Sequence, residues 1–207
     1  MVTVPDPGSD LRLGGQQALA SEFTRHRERL LRLIQWRLDP RLAGRVDPDD
    51  ILQEAYLDAS TRLNHFLAQP DLTPFVWLRG IVVQTMVNVY RRHLGTDMRD
   101  VGREQRRNFL PGGDATSMSI AALFVGHLTS PSQAAMRVEI AASLERALAD
   151  MKPTDREILV MRHFEELTNA EAAQALGIET KAASIRYIRA IARLKETLDK
   201  FPGMFSG

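Results

Sequence analysis

The chain has 207 residues, of which 44% are hydrophobic and 26% charged, a profile that excludes a disordered protein and leaves room for one large or two small globular domains. With no cysteine, it can hold no disulfide, thiol nucleophile or cysteine-ligated zinc or iron–sulfur site. A formal net charge of +1 argues neither for nor against a nucleic-acid partner, so the distribution of charge along the chain has to decide.

Residues 1–14 are rich in Pro, Gly and Asp and read as a mobile tail. From about Gln16, Phe23, Leu30, Leu31, Ile34 and Leu38 recur at helical spacing. Asp47-Pro48-Asp49-Asp50 is a strong helix start, with aspartate as cap, proline at the first helical position and acids in the first turn. The helix that follows carries Leu52, Ala55, Tyr56, Ala59, Leu63 and Phe66 on one face, and Asn64 to Asp71 breaks the pattern. Thr73-Pro74 opens another helix, with Phe75, Leu78, Ile81, Val82, Thr85, Met86 and Val89 pointing inward and Arg91, Arg92 and His93 at its end. Arg99, Arg103, Arg106 and Arg107 come next, and the whole basic run is placed to meet phosphates.

Gly95 to about Thr129 has little periodicity and reads as an interdomain linker, with short helices expected at 103–109 and 120–127. Ser130-Pro131-Ser132-Gln133 matches a capping box and opens a helix bearing Met136, Ile140, Ala141, Leu144 and Leu148. Pro153, Thr154 and Glu157 start the next, which carries Ile158, Leu159, Met161 and Phe164.

LTNAEAAQALGIETKAASIRYIRAIARL, from Leu167 to Leu194, has the pattern of a helix-turn-helix. Thr168 with Glu171 fits a capping box, Ala172, Ala173 and Leu176 form a small apolar face, and Gly177 permits a left-handed turn. Ile178 is placed to pack between the two helices. Thr180 is the expected cap of the second helix, in which Ala183, Tyr187, Ile188 and Ile191 pack while Lys181, Ser184, Arg186, Arg189 and Arg193 face outward. Such a helix suits the DNA major groove; an amphipathic hairpin with a solvated basic face is the plainer reading.

No segment alternates with a period of two, so the expected fold class is all-α: two small helical domains on a tether. The charges follow the same division. Asp47, Asp49, Asp50, Glu54 and Asp58 lie in a stretch without a base, whereas Lys181, Arg186, Arg189, Arg193, Lys195 and Lys200 outweigh Glu196 and Asp199. An acidic patch and a basic patch point to two different partners. Asp50, Gln53, Glu54 and Leu57 neighbour one another by steps of three and four, a face suited to a basic helical partner, or simply a solvated one.

Little in the chain suggests catalysis. His26, His65, His93, His127 and His163 are scattered without metal-ligand spacing, and neither a nucleophile elbow nor a glycine-rich phosphate loop is present. Glu165, Glu166 and Glu171 stand at or near helix ends, where acids stabilise helices without chemistry. A binding protein without catalytic residues, cofactor or metal is expected. No apolar run approaches the roughly 20 residues that cross a bilayer. MVTVPDPGSD lacks the basic start and apolar core of a signal peptide, so a cytoplasmic protein without membrane insertion is expected.

In this order the pieces resemble an RNA polymerase sigma factor of the small extracytoplasmic-function group. VDPDDILQEAYLDASTRLNHF resembles the region two helix whose Asp-x-x-Gln-Glu core meets the β′ clamp helices of the polymerase. TPFVWLRGIVVQTMVNVYRRH resembles the following helix, which handles the −10 element. ALADMKPTDREILVMRHFEELTNAEAAQALGIETKAASIRYIRAIARLKETL resembles region four, which reads the −35 element. The likeness spans about Ala20 to Leu198 apart from the linker and leaves no room for a third sigma domain.

The resemblance implies a tail over 1–14, a region two-like domain over 15–95, a linker over 96–129 and a region four-like domain over 130–201. It implies core-polymerase binding by Asp50, Gln53, Glu54 and Leu57, and −10 contacts from Trp77, Gln84, Asn88, Arg91 and Arg92. For −35 DNA it implies Thr180, Lys181, Ser184, Arg186, Arg189 and Arg193. Trp77 and Leu78 match mainly as structure, Gln84 stands where the family often has asparagine, and Ser184 stands where a lysine or arginine is usual. The implied partners are the polymerase core, through its β′ clamp helices and β flap, promoter DNA, and an anti-sigma factor. Two other readings stay open: a stand-alone helix-turn-helix regulator, which would bind duplex DNA by itself as a symmetric dimer, and a sigma-like decoy that occupies an anti-sigma factor.

Overall fold

A computed structural model describes residues 9–38, 42, 44–94, 121 and 134–200. The chain divides into two compact units, 1–111 and 112–207. Within the described residues the first unit holds α1 (Ser9–Arg37), α2 (Pro48–Leu67) and α3 (Pro74–Leu94), and the second holds α4 (Ala134–Ala149), α5 (Pro153–His163), α6 (Asn169–Leu176) and α7 (Thr180–Leu198). No strand occurs among them. The fold is all-α, in two small helical domains.

In the first unit each helix packs on the other two. Phe23, Leu30, Leu33 and Ile34 of α1 meet a core filled by Leu52, Ala55, Ala59, Leu63 and Phe66 of α2 and by Leu78, Ile81, Val82, Met86 and Val89 of α3, all buried. Asp47 caps α2 by accepting the Asp49 amide at 2.8 Å, with Pro48 in the first turn, the local start that its sequence dictates. Tyr90 donates its hydroxyl proton to the Arg37 carbonyl, tying the end of α3 to the end of α1.

The structure departs from the sequence reading at two helix ends. α1 breaks at Gly15 (φ 55°), so the helical run expected from about Gln16 stands, and a helical segment from Ser9 precedes the break where a tail was expected. Leu11 is fully buried, an anchor that the Pro- and Gly-rich composition around it conceals. α2 runs on to Leu67, past Asn64, because Phe66 is still drawn into the core. The expected short helices at 103–109 and 120–127 and the capping box at 130–133 lie outside the described residues, apart from Ala121, which is helical and buried.

In the second unit α7 is the central element and packs on α4, α5 and α6. Its buried residues are Ala183, Ala190, Leu194 and Thr197, set against Ile140, Leu144 and Leu148 of α4 and Ile158, Leu159, Val160 and Met161 of α5. Small residues on α7 and α6 (Ala172, Ala173) allow the close helix approach that a compact helix-turn-helix needs.

Candidate functional site

On α2 the buried face fixes which residues are left outside. Asp50 and Gln53 are exposed, Glu54 is half-buried, and Leu57 has 62% of its surface open to solvent. The fold brings these four together on one stripe, as their spacing predicts. It also partly neutralises the acidic patch: Arg27 of α1 pairs with Asp49, Arg62 one turn further along α2 pairs with Asp58 at 2.7 Å, and Arg92 of α3 pairs with Glu54 at 2.6 Å. Asp50 has no ionic partner among the described residues. What remains open is an anionic and amide-bearing face around an exposed leucine, a surface able to receive a partner that is both basic and apolar.

The Glu54–Arg92 pair joins α2 to the basic end of α3. Arg91 and Arg92 are exposed, as is Asn88, and the half-buried Gln84 donates to the Asn88 side-chain carbonyl at 3.3 Å. Gln84, Asn88 and Arg91 follow one another along a single polar stripe of an otherwise buried helix. Trp77, expected among the DNA contacts, stands apart from that stripe. Only 7% of Trp77 is exposed, and its ring stacks on Phe66 of α2 with centroids 4.6 Å apart. An indole held there packs the core and offers no face to a base.

In the second unit the local signals are realised as read. Thr168 accepts the Glu171 amide at 3.2 Å while the Glu171 carboxylate accepts the Thr168 amide at 2.7 Å, a complete capping box. Gly177 takes the left-handed conformation (φ 63°) that closes α6. The start of α7 differs by one residue: Glu179 is its cap, without a side-chain capping bond, and Thr180 is the first helical residue.

A clamp that the sequence did not signal joins the two helices of the motif. The Asn169 amide nitrogen donates to the Thr180 carbonyl at 3.0 Å and to the Ser184 hydroxyl at 2.9 Å, and Ser184 in turn donates to the Thr180 carbonyl. Asn169 stands just after the cap and reads as one more polar residue of a first turn. Only the packing of α6 against α7 shows what it reaches.

The clamp changes the roles assigned on α7. Ser184 is half-buried and its hydroxyl is engaged within the motif, so it does not face outward as a free base reader. Arg186, also half-buried, turns back onto α5, where it donates to Thr154 Oγ1 at 2.8 Å and lies 3.6 Å from the buried Asp155 carboxylate. Its guanidinium therefore braces α7 on α5. Thr180, Lys181, Arg189 and Arg193 are exposed. Ile188 was expected to pack; instead it is 64% exposed, and Ile185 is 41% exposed beside it. The buried face of α7 runs through 183, 190, 194 and 197, which puts 185 and 188 on the opposite side.

At the other end of the motif His163 and Tyr187 stack with centroids 5.7 Å apart, and the Tyr187 hydroxyl lies 3.1 Å from His163 Nε2. Partial desolvation beside Tyr187, reinforced by the adjacent Arg162 cation, holds His163 below its ordinary pKa of 6.5 and so favours the neutral ring that can accept the tyrosine proton. Among the described residues no cluster of three or more His, Asp or Glu could hold a metal ion, and no helix is long and apolar enough to cross a membrane.

Residues 141–194 match the sigma-70, region 4 family, a span that contains the capping box, the glycine turn and most of α7. The chain is 30% identical over 156 residues to the RNA polymerase sigma factor CnrH of Cupriavidus metallidurans, a match covering 74% of each protein. It is 29% identical to the RNA polymerase sigma factor NccH of Alcaligenes xylosoxydans xylosoxydans (73% of each) and 28% identical to the RNA polymerase sigma-H factor of Pseudomonas aeruginosa (74% and 72%). The fold is similar to that of CnrH solved in complex with the cytosolic domain of CnrY, with a TM-score of 0.50 and 22% identity over 94% of this chain and 96% of that one.

Proposed function

This chain belongs to the RNA polymerase sigma factors, in the extracytoplasmic-function group, and on that premise we propose that it docks on core polymerase through α2 and places the enzyme on a two-part promoter. Docking is through Asp50, Gln53, Glu54 and Leu57, on the β′ clamp helices. The observation that carries this is the exposed Leu57 ringed by acid and amide side chains: an apolar anchor in a charged rim is the arrangement of a protein interface, and an isolated solvated helix face has no use for the anchor. The rim charges steer the encounter and fix register, and burial of the leucine supplies affinity.

Gln84, Asn88, Arg91 and Arg92 form the −10 surface. The arginines neutralise phosphates, and the amide pair offers donors and acceptors to an unpaired base. Taking a base out of the stack costs a few kcal/mol, which a pocket and backbone contacts together can offset. α7 carries the −35 reader, held at a set angle by the Asn169 clamp and the Arg186 brace, with Lys181, Arg189 and Arg193 on its open side. Tethering two weak readers on one chain raises their joint affinity through effective concentration, so promoter binding needs both elements at their proper spacing. Bond formation belongs to the polymerase, and this chain supplies position and melting. The domain assignment follows: 15–95 for polymerase and −10, 96–129 as connector, 130–201 for −35, with the protein working in the cytoplasm. A regulatory protein that occupies the same faces, an anti-sigma factor, is the expected antagonist; its support is the relative solved with the cytosolic domain of a second protein.

The test is co-elution of the purified chain with sigma-free core polymerase, followed by transcription from promoters recovered with the resulting holoenzyme. A complex that survives moderate salt and is lost in Asp50→Lys plus Glu54→Lys, with helicity unchanged, supports docking through α2. A clean palindromic footprint by the isolated protein, with no polymerase complex, overturns the reading in favour of a stand-alone regulator.

A further inference from the structure

α7 exposes two isoleucines side by side where a DNA-reading helix would be expected to carry polar groups. Ile185 and Ile188 are three residues apart, one helical turn, and both belong to the face opposite the buried one. Lys181 precedes Ile185 by four residues and Arg189 follows it by four, so the apolar pair lies between two exposed cations. The same face holds no acid until Glu196.

Two of the polar side chains expected at −35 DNA are engaged within the second unit instead. Ser184 is held by Asn169 and Thr180, and Arg186 by Thr154 and Asp155. Along its first turns the open side therefore presents Lys181, Ile185, Ile188 and Arg189 to a duplex, with Arg193 one turn beyond. Cations flanking an apolar pair complement DNA in a particular way. Phosphates border the major groove, and in its floor the apolar feature of a base pair is the C5 methyl of thymine. A branched aliphatic side chain distinguishes thymine from cytosine by that methyl without a hydrogen bond.

We propose that Ile185 and Ile188 are specificity-determining residues that read thymine methyl groups in the upstream promoter element, with Lys181 and Arg189 holding the flanking phosphates or a guanine edge. This rests on the reading of α7 as the promoter helix. It gives that helix a recognition chemistry of van der Waals contact with methyls in place of the hydrogen bonds expected from Ser184 and Arg186.

The experiment uses the holoenzyme formed from the full chain and core polymerase. A duplex library randomised across the upstream element is selected for binding, and the best sequence is remade with deoxyuridine replacing each thymine in turn, which removes only the methyl. We expect thymine to be enriched at neighbouring positions. Each critical uracil should weaken binding about fourfold, the equivalent of about 0.8 kcal/mol for one buried methyl-sized group. Ile185→Ala plus Ile188→Ala should bind thymine and uracil duplexes equally. Both positions are exposed and alanine favours helix, so folding is retained and circular dichroism verifies it.

Selection of an upstream element in which uracil and thymine bind alike overturns the inference while leaving the promoter helix in place. Failure to select any upstream sequence overturns both. If the double alanine variant keeps its uracil sensitivity, or loses only the grip of a regulatory protein, the isoleucines are not methyl readers.

Discussion

Replacing Trp77 separates a packing role from a base-stacking one. An aromatic side chain of this size removes roughly 150–250 Å² from water on burial, worth about 4–6 kcal/mol at about 25 cal/mol per Å², as an upper bound against an extended unfolded chain. Truncation of a buried aromatic to alanine costs roughly 3–5 kcal/mol, a figure that includes the stack on Phe66 at 4.6 Å. Against a domain stability of about 5–15 kcal/mol, Trp77→Ala brings the first unit close to its unfolding threshold. Trp77→Phe keeps a ring on Phe66 and should cost roughly 1–2 kcal/mol through the smaller cavity it leaves. Urea unfolding is the assay, read by tryptophan fluorescence: the chain's two tryptophans, Trp36 and Trp77, both lie in the first unit, so the remaining Trp36 reports that unit alone. We expect Trp77→Phe to open the −10 region as well as the parent does at temperatures where it is folded. A Trp77→Ala protein that unfolds within about 0.5 kcal/mol of the parent yet fails to melt promoters would refute the reasoning and return Trp77 to the DNA surface.

Other expectations follow from the same geometry. Thr168→Ala removes half of the capping box and should cost about 1 kcal/mol in the second unit by urea unfolding, with Thr168→Ser close to neutral. Asn169→Ala removes two hydrogen bonds between α6 and α7 and should cost roughly 1–2 kcal/mol there. Unchanged unfolding together with unchanged promoter selection would show that the clamp sets nothing. A double-mutant cycle on Glu54 and Arg92 should give a stability coupling of about 0–1 kcal/mol, since water reaches both side chains and screens the pair; Arg92→Ala should still impair open-complex formation. For His163 the unfolded chain takes up its proton first on acidification. The stability from its depressed pKa is thus whole above about pH 6.5 and is lost as pH falls through the lower folded value. His163→Gln should flatten that part of the stability–pH curve of the second unit, and a parallel curve would show the slope to arise elsewhere.

Much of the candidate site was legible from residue types and spacing because its signals are local. A cap, a proline in a first turn and a left-handed glycine act within four or five residues, so Asp47-Pro48, the Thr168–Glu171 box and Gly177 take the forms their sequence dictates. The stripe from Asp50 to Leu57 was equally readable, because a strongly apolar opposite face leaves those residues only one side. α7 was harder. Its buried positions include alanines and a threonine, so hydrophobicity favoured Ile188 as the packing residue.

The amino-acid sequence by itself determined an all-helical chain, the capping box and glycine turn of its helix-turn-helix, and the order of motifs that marks the family. Tertiary structure alone decided which side chains are spent on the fold and which are left for a partner. Trp77 went into the core and Ser184 and Arg186 into bracing the helix-turn-helix, while Arg92 stays exposed although paired with Glu54, and Ile185 and Ile188 turn out to solvent. Those outcomes depend on atoms 15 to 38 residues away along the chain, or on which neighbour a helix face meets, and no window of a few residues holds that information.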